Sequence, residues 1–134
     1  MIVYGAWPYQ DLVDQIQLDS FGIILKTELK TFNANGSSPR LICLKKNNRC
    51  VACKVVGTVW RLEASSHNDL KPHLNLYAVK DPGIPLNQLT DEDVILMTKD
   101  HILPKSQGGK ENQSNLQTMC VICNMIKGPT HIRF

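Results

Sequence analysis

Residues 94–128, VILMTKDHILPKSQGGKENQSNLQTMCVICNMIKG, are the stretch on which the reading of the whole chain turns. It opens on an apolar, branched run behind an acidic turn, Thr90-Asp91-Glu92-Asp93, a composition that favours a strand. The run ends on Asp100 and His101. Pro104 lacks the N–H that a ladder needs and Ser106-Gln107-Gly108-Gly109 follows, so the strand is expected to give way to a polar loop. A second short run, Asn115 to Met119, leads into Cys120-Val-Ile-Cys-Asn-Met-Ile-Lys127, where Ile122 and Ile126 fall one above the other on a helix. Gly128 and Pro129 stop that helix. The outline is strand, loop, strand, helix, with an Asp-His pair at one corner and Asn124 in the helix.

At this point the chain resembles the HNH nucleases, also called the ββα-metal or His-metal finger group. The residues that carry the resemblance are Asp100-His101-Ile102-x-Pro104, Gly108-Gly109, Asn115-Leu116, Cys120-x-x-Cys123-Asn124 and Lys127-Gly128. Order, spacing and residue type agree across this final part of the chain, and the likeness reaches back more weakly to Cys50-x-x-Cys53. It implies an α+β fold with an antiparallel hairpin and one helix as the nuclease core. It also implies His101 as general base, Asp100 and Asn124 as ligands of a divalent cation, and Asn115 as the residue that braces the loop beside His101. Asn124 stands where many members carry His, a variant that the family also contains.

The chemistry of those residue types agrees with these roles. Cutting a phosphodiester takes a water nucleophile, a base for its proton and a cation to stabilise charge on the phosphate. Neutral imidazole accepts a proton at physiological pH. A carboxylate and an amide oxygen suit magnesium or manganese better than zinc or nickel, which prefer imidazole or thiolate. In a regular strand Asp100 and His101 point to opposite faces, so a shared site requires a bend, and Pro104 lies close by.

Cys50-Val-Ala-Cys53 and Cys120-Val-Ile-Cys123 repeat one spacing far apart in sequence, as a four-thiolate structural zinc site built from two knuckles requires. Such an ion pins the C-terminal helix to the segment around Ser38 to Cys53. Four protein ligands leave no open position, so its role is structural. Cys43 belongs to neither pair and is expected in the core.

Elsewhere the signals are weaker. Tyr9 to Leu18 places Leu12, Val13 and Ile16 at helical spacing. The run from Phe21 to Leu29 reads equally as strand or helix. Asn33-Ala-Asn-Gly-Ser-Ser38 is the best internal linker, so residues 1–38 are expected as an N-terminal helical extension of a zinc-stapled core at 39–134, all within one domain. Ser38 looks like an N-cap, with Pro39 at the first position of a helix that continues through Lys46. Thr58 to Leu62 and His73 to Val79 read as strands, the second pairing with residues 93–99 through the Asp81-Pro-Gly-Ile-Pro region. Ser65 to Pro72 is a polar loop. His67, His73 and His131 are assigned no chemistry.

With 134 residues the chain fits one small domain, and small domains are often reinforced by a metal. The net charge of +3 is too slight to identify a partner by itself. Its distribution is uneven, with two Lys against four acids in residues 1–38 and thirteen basic residues against eight acids after them. Lys105, Lys110 and Lys127 flank the site, and Arg133 lies in the tail, as expected contacts to a nucleic-acid backbone, which supply affinity without sequence reading. No leader and no apolar run long enough to span a membrane is visible, so an intracellular, cytoplasmic protein is expected, in a setting such as a phage or mobile element. The sequence reading is thus a divalent-metal HNH endonuclease that nicks DNA. The rival is a catalytically silent, zinc-dependent DNA-binding module of the same fold. Oligomeric state stays open between monomer and dimer.

Overall fold

The structure, a computed structural model, describes residues 1–17, 22–68 and 71–134. The apolar run at the N-terminus forms strand β1 (Ile2–Pro8), followed by the short helix α1 (Tyr9–Leu12) and a 3-10 turn over Val13–Gln15. Next come β2 (Ile23–Lys26), β3 (Thr31–Ala34), helix α2 (Pro39–Lys46), β4 (Gly57–Ala64), β5 (His73–Val79), β6 (Val94–His101), β7 (Leu116–Cys120) and helix α3 (Val121–Lys127). The chain is α+β, with β1-β4-β5-β6-β7 in one antiparallel sheet and β2-β3 as a separate hairpin.

Residues 1–38, expected to be helical, hold three strands and little helix among the described residues, which corrects that reading. Leu12, Val13 and Ile16 are buried as their spacing predicts, but one turn of helix suffices to bury them. Leu18 and Phe21, at the ends of two of the expected segments, lie outside the described residues. So do Asp69 and Leu70 of the expected polar loop. Nor is Asn33–Ser38 a linker: Asn33 and Ala34 complete β3, and Gly36 accepts a hydrogen bond from the Gln17 amide at 3.1 Å. The polar residues there serve a turn, in which Asn35 Oδ1 accepts from the Ser37 amide at 2.9 Å.

Alternation along each strand separates the two faces of the sheet. One carries Trp60, Leu62, Leu74, Leu76 and Met97, packed with Ile23, Leu25 and Phe32 of the hairpin and with Leu41 and Leu44 of α2 in one hydrophobic cluster. Ser38 starts α2 as expected, its Oγ accepting from the Leu41 amide at 3.2 Å, and Pro39 occupies a position whose N–H would have no partner. Cys43 is buried on α2, its sulfur 3.6 Å from Thr118 Oγ1. The other face is polar near its middle: Arg61 and Glu63 are buried there, Arg61 donating to Asp91 at 2.9 Å and Glu63 accepting from Asn75 at 2.9 Å and from the Tyr77 hydroxyl. Beside that cluster α3 lies across β6 and β7.

Pairing of β5 with β6, Tyr77 opposite Leu96 and Val79 opposite Val94, extends the β6-β7 hairpin with the antiparallel neighbour expected from the sequence. The strand-loop-strand-helix outline therefore forms one end of a larger sheet. Its outer supports are the segment Cys50–Cys53 and helix α2.

Candidate active site and metal centre

The register of β6 against β7 sets Asp100 opposite Gln117, Lys99 opposite Thr118 and His101 opposite Leu116. Thr98 and Asp100 therefore share one face of the sheet, and Lys99 and His101 share the other. Helix α3 covers the first face. Asn124 Nδ2 donates to Thr98 Oγ1 at 2.8 Å, and one turn later Lys127 Nζ lies 3.1 Å from Asp100 Oδ2.

Asp100 is 6% exposed and its carboxylate is fully engaged. Gln117 Nε2 donates to Oδ2 at 2.9 Å, and Lys127 Nζ donates to Oδ1 and to the His101 carbonyl, each at 3.2 Å. Lys127 was expected at the nucleic-acid surface. Its side chain is 1% exposed, because a buried carboxylate needs a counter-charge and this ammonium provides it. Lys105 and Lys110 are exposed, as expected.

Asn124 is held in one orientation. Thr98 Oγ1 spends its proton on the Met119 carbonyl at 2.8 Å, so it can only accept from the Asn124 amide. That leaves the Asn124 carbonyl oxygen as the end available to a cation. Asp100 and Asn124 thus stand on the same side of β6, and their donor set, a hard carboxylate and an amide oxygen, fits magnesium or manganese. Among the described residues no hydrogen bond joins Asp100, His101 and Asn124 to one another.

His101 points the other way. β6 runs as a strand through His101, so the bend near Pro104 comes too late to turn Asp100 and His101 to one side. Its Nε2 meets the carboxylate of Glu111, which also binds Lys99 and lies 3.9 Å from Lys105 Nζ. Burial, followed by the Lys105 and Lys99 cations, lowers the His101 pKa, while the neighbouring Asp100 charge pulls in the opposite direction. Burial and then the Lys105 and Arg40 charges lower the pKa of Lys99 as well.

The loop after His101 is closed by Asn115. Its Oδ1 accepts from the Leu103 amide at 2.8 Å, and its Nδ2 donates to the Leu103 carbonyl at 3.1 Å and the Lys110 carbonyl at 2.9 Å. Its backbone carbonyl accepts from the Ile102 amide at 2.8 Å. A side chain with both a donor and an acceptor can tie two strands of a loop at once, and no apolar residue substitutes for it. Gly109 completes the closure, since a Cβ there would lie 1.7 Å from the Leu103 carbonyl oxygen.

The four cysteines of the two pairs come together with their sulfurs all within 4.8 Å of one another. Cys53 Sγ and Cys120 Sγ are 3.8 Å apart, which is about the edge of a tetrahedron with ~2.3 Å metal–sulfur bonds. The cluster is thus able to hold a metal ion such as zinc. The first knuckle turns at Lys54, whose φ of 71° lets its amide reach the Cys50 carbonyl at 3.0 Å. Its Val51 amide donates to the Thr118 carbonyl at 2.9 Å, fastening the knuckle to β7. In the second knuckle Cys120 caps α3, its sulfur accepting from the Cys123 amide at 3.4 Å. Against the burial that would raise it, the backbone amides of Cys120, Cys53 and Ala52 bring the Cys50 thiol down to about 7. Burial and the neighbouring sulfurs push Cys123 up to about 12, so thiols this close ionise together only around a cation.

Four contributors were not found in the sequence: Lys99, Thr98, Gln117 and Glu111. Gln117 was legible once the hairpin register was drawn, since it sits opposite Asp100. Glu111 carried no local signal; only the folded loop brings it to His101.

No curated protein and no solved structure matches the chain. Residues 87–133, which hold β6, β7, α3, the Asp100-His101 corner and the second cysteine pair, match the HNH endonuclease family. Over that segment the chain is similar to the HNH endonuclease family.

Proposed function

We propose that the protein hydrolyses phosphodiester bonds of DNA, nicking one strand per encounter. The observation that carries this reading is the pairing of β6 with α3. It sets Asp100 and the free amide oxygen of Asn124 on one face, at the strand end where Asn115 clamps the loop next to His101. Asp100 and Asn124 would hold a divalent cation, magnesium or manganese, which when bound would stabilise negative charge on the phosphate and the leaving oxygen. Lys127 neutralises the buried Asp100 carboxylate. His101 accepts the proton of the attacking water. Asn115 keeps the loop, and with it the imidazole, in place. Zinc at Cys50, Cys53, Cys120 and Cys123 fixes α3, and therefore Asn124, against the hairpin. Exposed Lys105 and Lys110 contact the DNA backbone, so affinity falls with salt and sequence selectivity is low.

One centre cuts one strand, so double-strand breaks require a dimer or successive events. The hydrophobic cluster draws on residues from both sides of position 38, which supports residues 1–134 as one folding unit.

A second reading has one observation in its favour. Asp100 and His101 face opposite sides of β6, and both Asp100 oxygens are occupied. A zinc-stapled DNA-binding module that does no chemistry would look like this. Supercoiled plasmid separates the two: with magnesium the zinc-loaded protein should give nicked circles, none when magnesium is left out and none with Asp100→Asn. Retarded but uncut plasmid across magnesium, manganese, zinc and nickel would establish the binding module instead.

A further inference from the structure

Lys99 Nζ, His101 Nε2 and Lys105 Nζ all converge on the carboxylate of Glu111. Oε1 takes Lys99, and Oε2 takes His101 with Lys105 at 3.9 Å. Glu111 comes from the loop just past Gly108-Gly109, and its side chain is 32% exposed, so it is not locked into the core. Two oxygens of one anion held between two ammonium groups, at the outer nitrogen of an imidazole, form an arrangement that suits a phosphate equally well. The carboxylate also sits on the nitrogen tip that a substrate would approach first, because Nδ1 lies nearer the backbone.

We propose that Lys99 and Lys105 form a cradle for a backbone phosphodiester of the substrate, and that Glu111 fills this cradle in the DNA-free protein. An entering phosphate displaces the Glu111 carboxylate, Lys99 and Lys105 take its oxygens, and His101 Nε2 is freed to face water. This rests on the reading of the protein as a DNA-cutting enzyme, and it adds Lys99 as a phosphate contact and Glu111 as a built-in competitor. The charge around the cradle agrees: Lys99 from β6 feels the Lys105 and Arg40 cations, and Glu111 is the anion in contact.

The test is binding of a short fluorescent duplex by the zinc-loaded protein, read by anisotropy with no magnesium or manganese added so that no cleavage intervenes. Glu111→Gln should bind about fivefold tighter, the effect of removing one charge roughly 4 Å from a phosphate in a water-like medium. Lys99→Met should bind more weakly, and its slope of log affinity against log salt should shrink by about 0.9, the value for one phosphate contact on duplex DNA. Inorganic phosphate should displace the duplex from Glu111→Gln at lower concentration than from the wild type. The proposal is overturned if Glu111→Gln binds no tighter, or if Lys99→Met leaves the salt slope unchanged. Unchanged affinity with slower nicking in Glu111→Gln would make Glu111 a positioning residue for His101, and the cradle would again be wrong. Expected binding by a protein that never nicks would refute the function proposed above and leave the cradle standing.

Discussion

Replacing Lys127 with Met should destabilise the metal-free protein strongly and make its stability depend on divalent cations. In the wild type the ammonium lies 3.1 Å from Asp100 Oδ2, with the two side chains 1% and 7% exposed. Removing one partner of so buried a pair leaves an uncompensated charge, at a cost of about 3–5 kcal/mol. With an unfolding entropy of about 2.1 cal/mol/K per residue, a chain of this length loses roughly 11–18 °C in Tm. If Asp100 is a cation ligand, magnesium at a hundred times its Kd returns about 2.7 kcal/mol, most of the loss. The wild type should gain less, because its ammonium competes for the same oxygens. The assay is a thermal melt of both proteins over a magnesium series, zinc content being held equal, with Asp100→Asn/Lys127→Met as a control that should recover stability without magnesium. A Lys127→Met melt within about 2 °C of wild type, or one that magnesium leaves unmoved, would refute the reasoning from the burial of this pair.

Metal analysis should find one tightly held zinc per chain. Cys50→Ser or Cys123→Ser should unfold the protein, seen as loss of the cooperative melt, since binding energy at such sites is folding energy. Asn115→Ala deletes three hydrogen bonds to Leu103 and Lys110 and should cost about 2 kcal/mol, with nicking falling more than DNA binding does. The nicking rate should rise with pH and level off, because only neutral His101 accepts a proton. Since burial and the Lys105 and Lys99 cations lower its pKa, the midpoint of that rise should lie below 6.5 in the pH dependence of kcat/KM, which reports the DNA-free protein.

What the sequence made legible was local or repeated. Ser38-Pro39 announces a helix start because cap and first-turn chemistry are decided within four residues, and α2 begins there. The two C-x-x-C pairs find each other because equal spacing reflects a shared geometric demand, and their sulfurs do meet. Gly108-Gly109 and Asn115 mark a loop whose closure only those residue types permit.

What failed was non-local. β1 pairs with β4 across more than fifty residues, and nothing in Ile2–Pro8 alone reveals that partner. The apolar spacing around Leu12 reported burial correctly and element length incorrectly, since a single turn against Trp60 meets the same demand. Lys127 read as a surface lysine because charge usually implies exposure; the buried Asp100 beneath it reverses that rule. Glu111 was invisible for a similar reason, as a loop carboxylate acquires meaning only when the fold places it on an imidazole.

The central claim is that His101 takes a proton from water at a DNA phosphate. Single-turnover nicking of supercoiled plasmid in magnesium tests it most directly, comparing wild type with His101→Ala after both are shown to melt alike and to carry equal zinc. The account predicts a rate at least about a hundredfold lower in the variant, the scale of a lost general base, with duplex affinity little changed. Equal rates for the two proteins would contradict it.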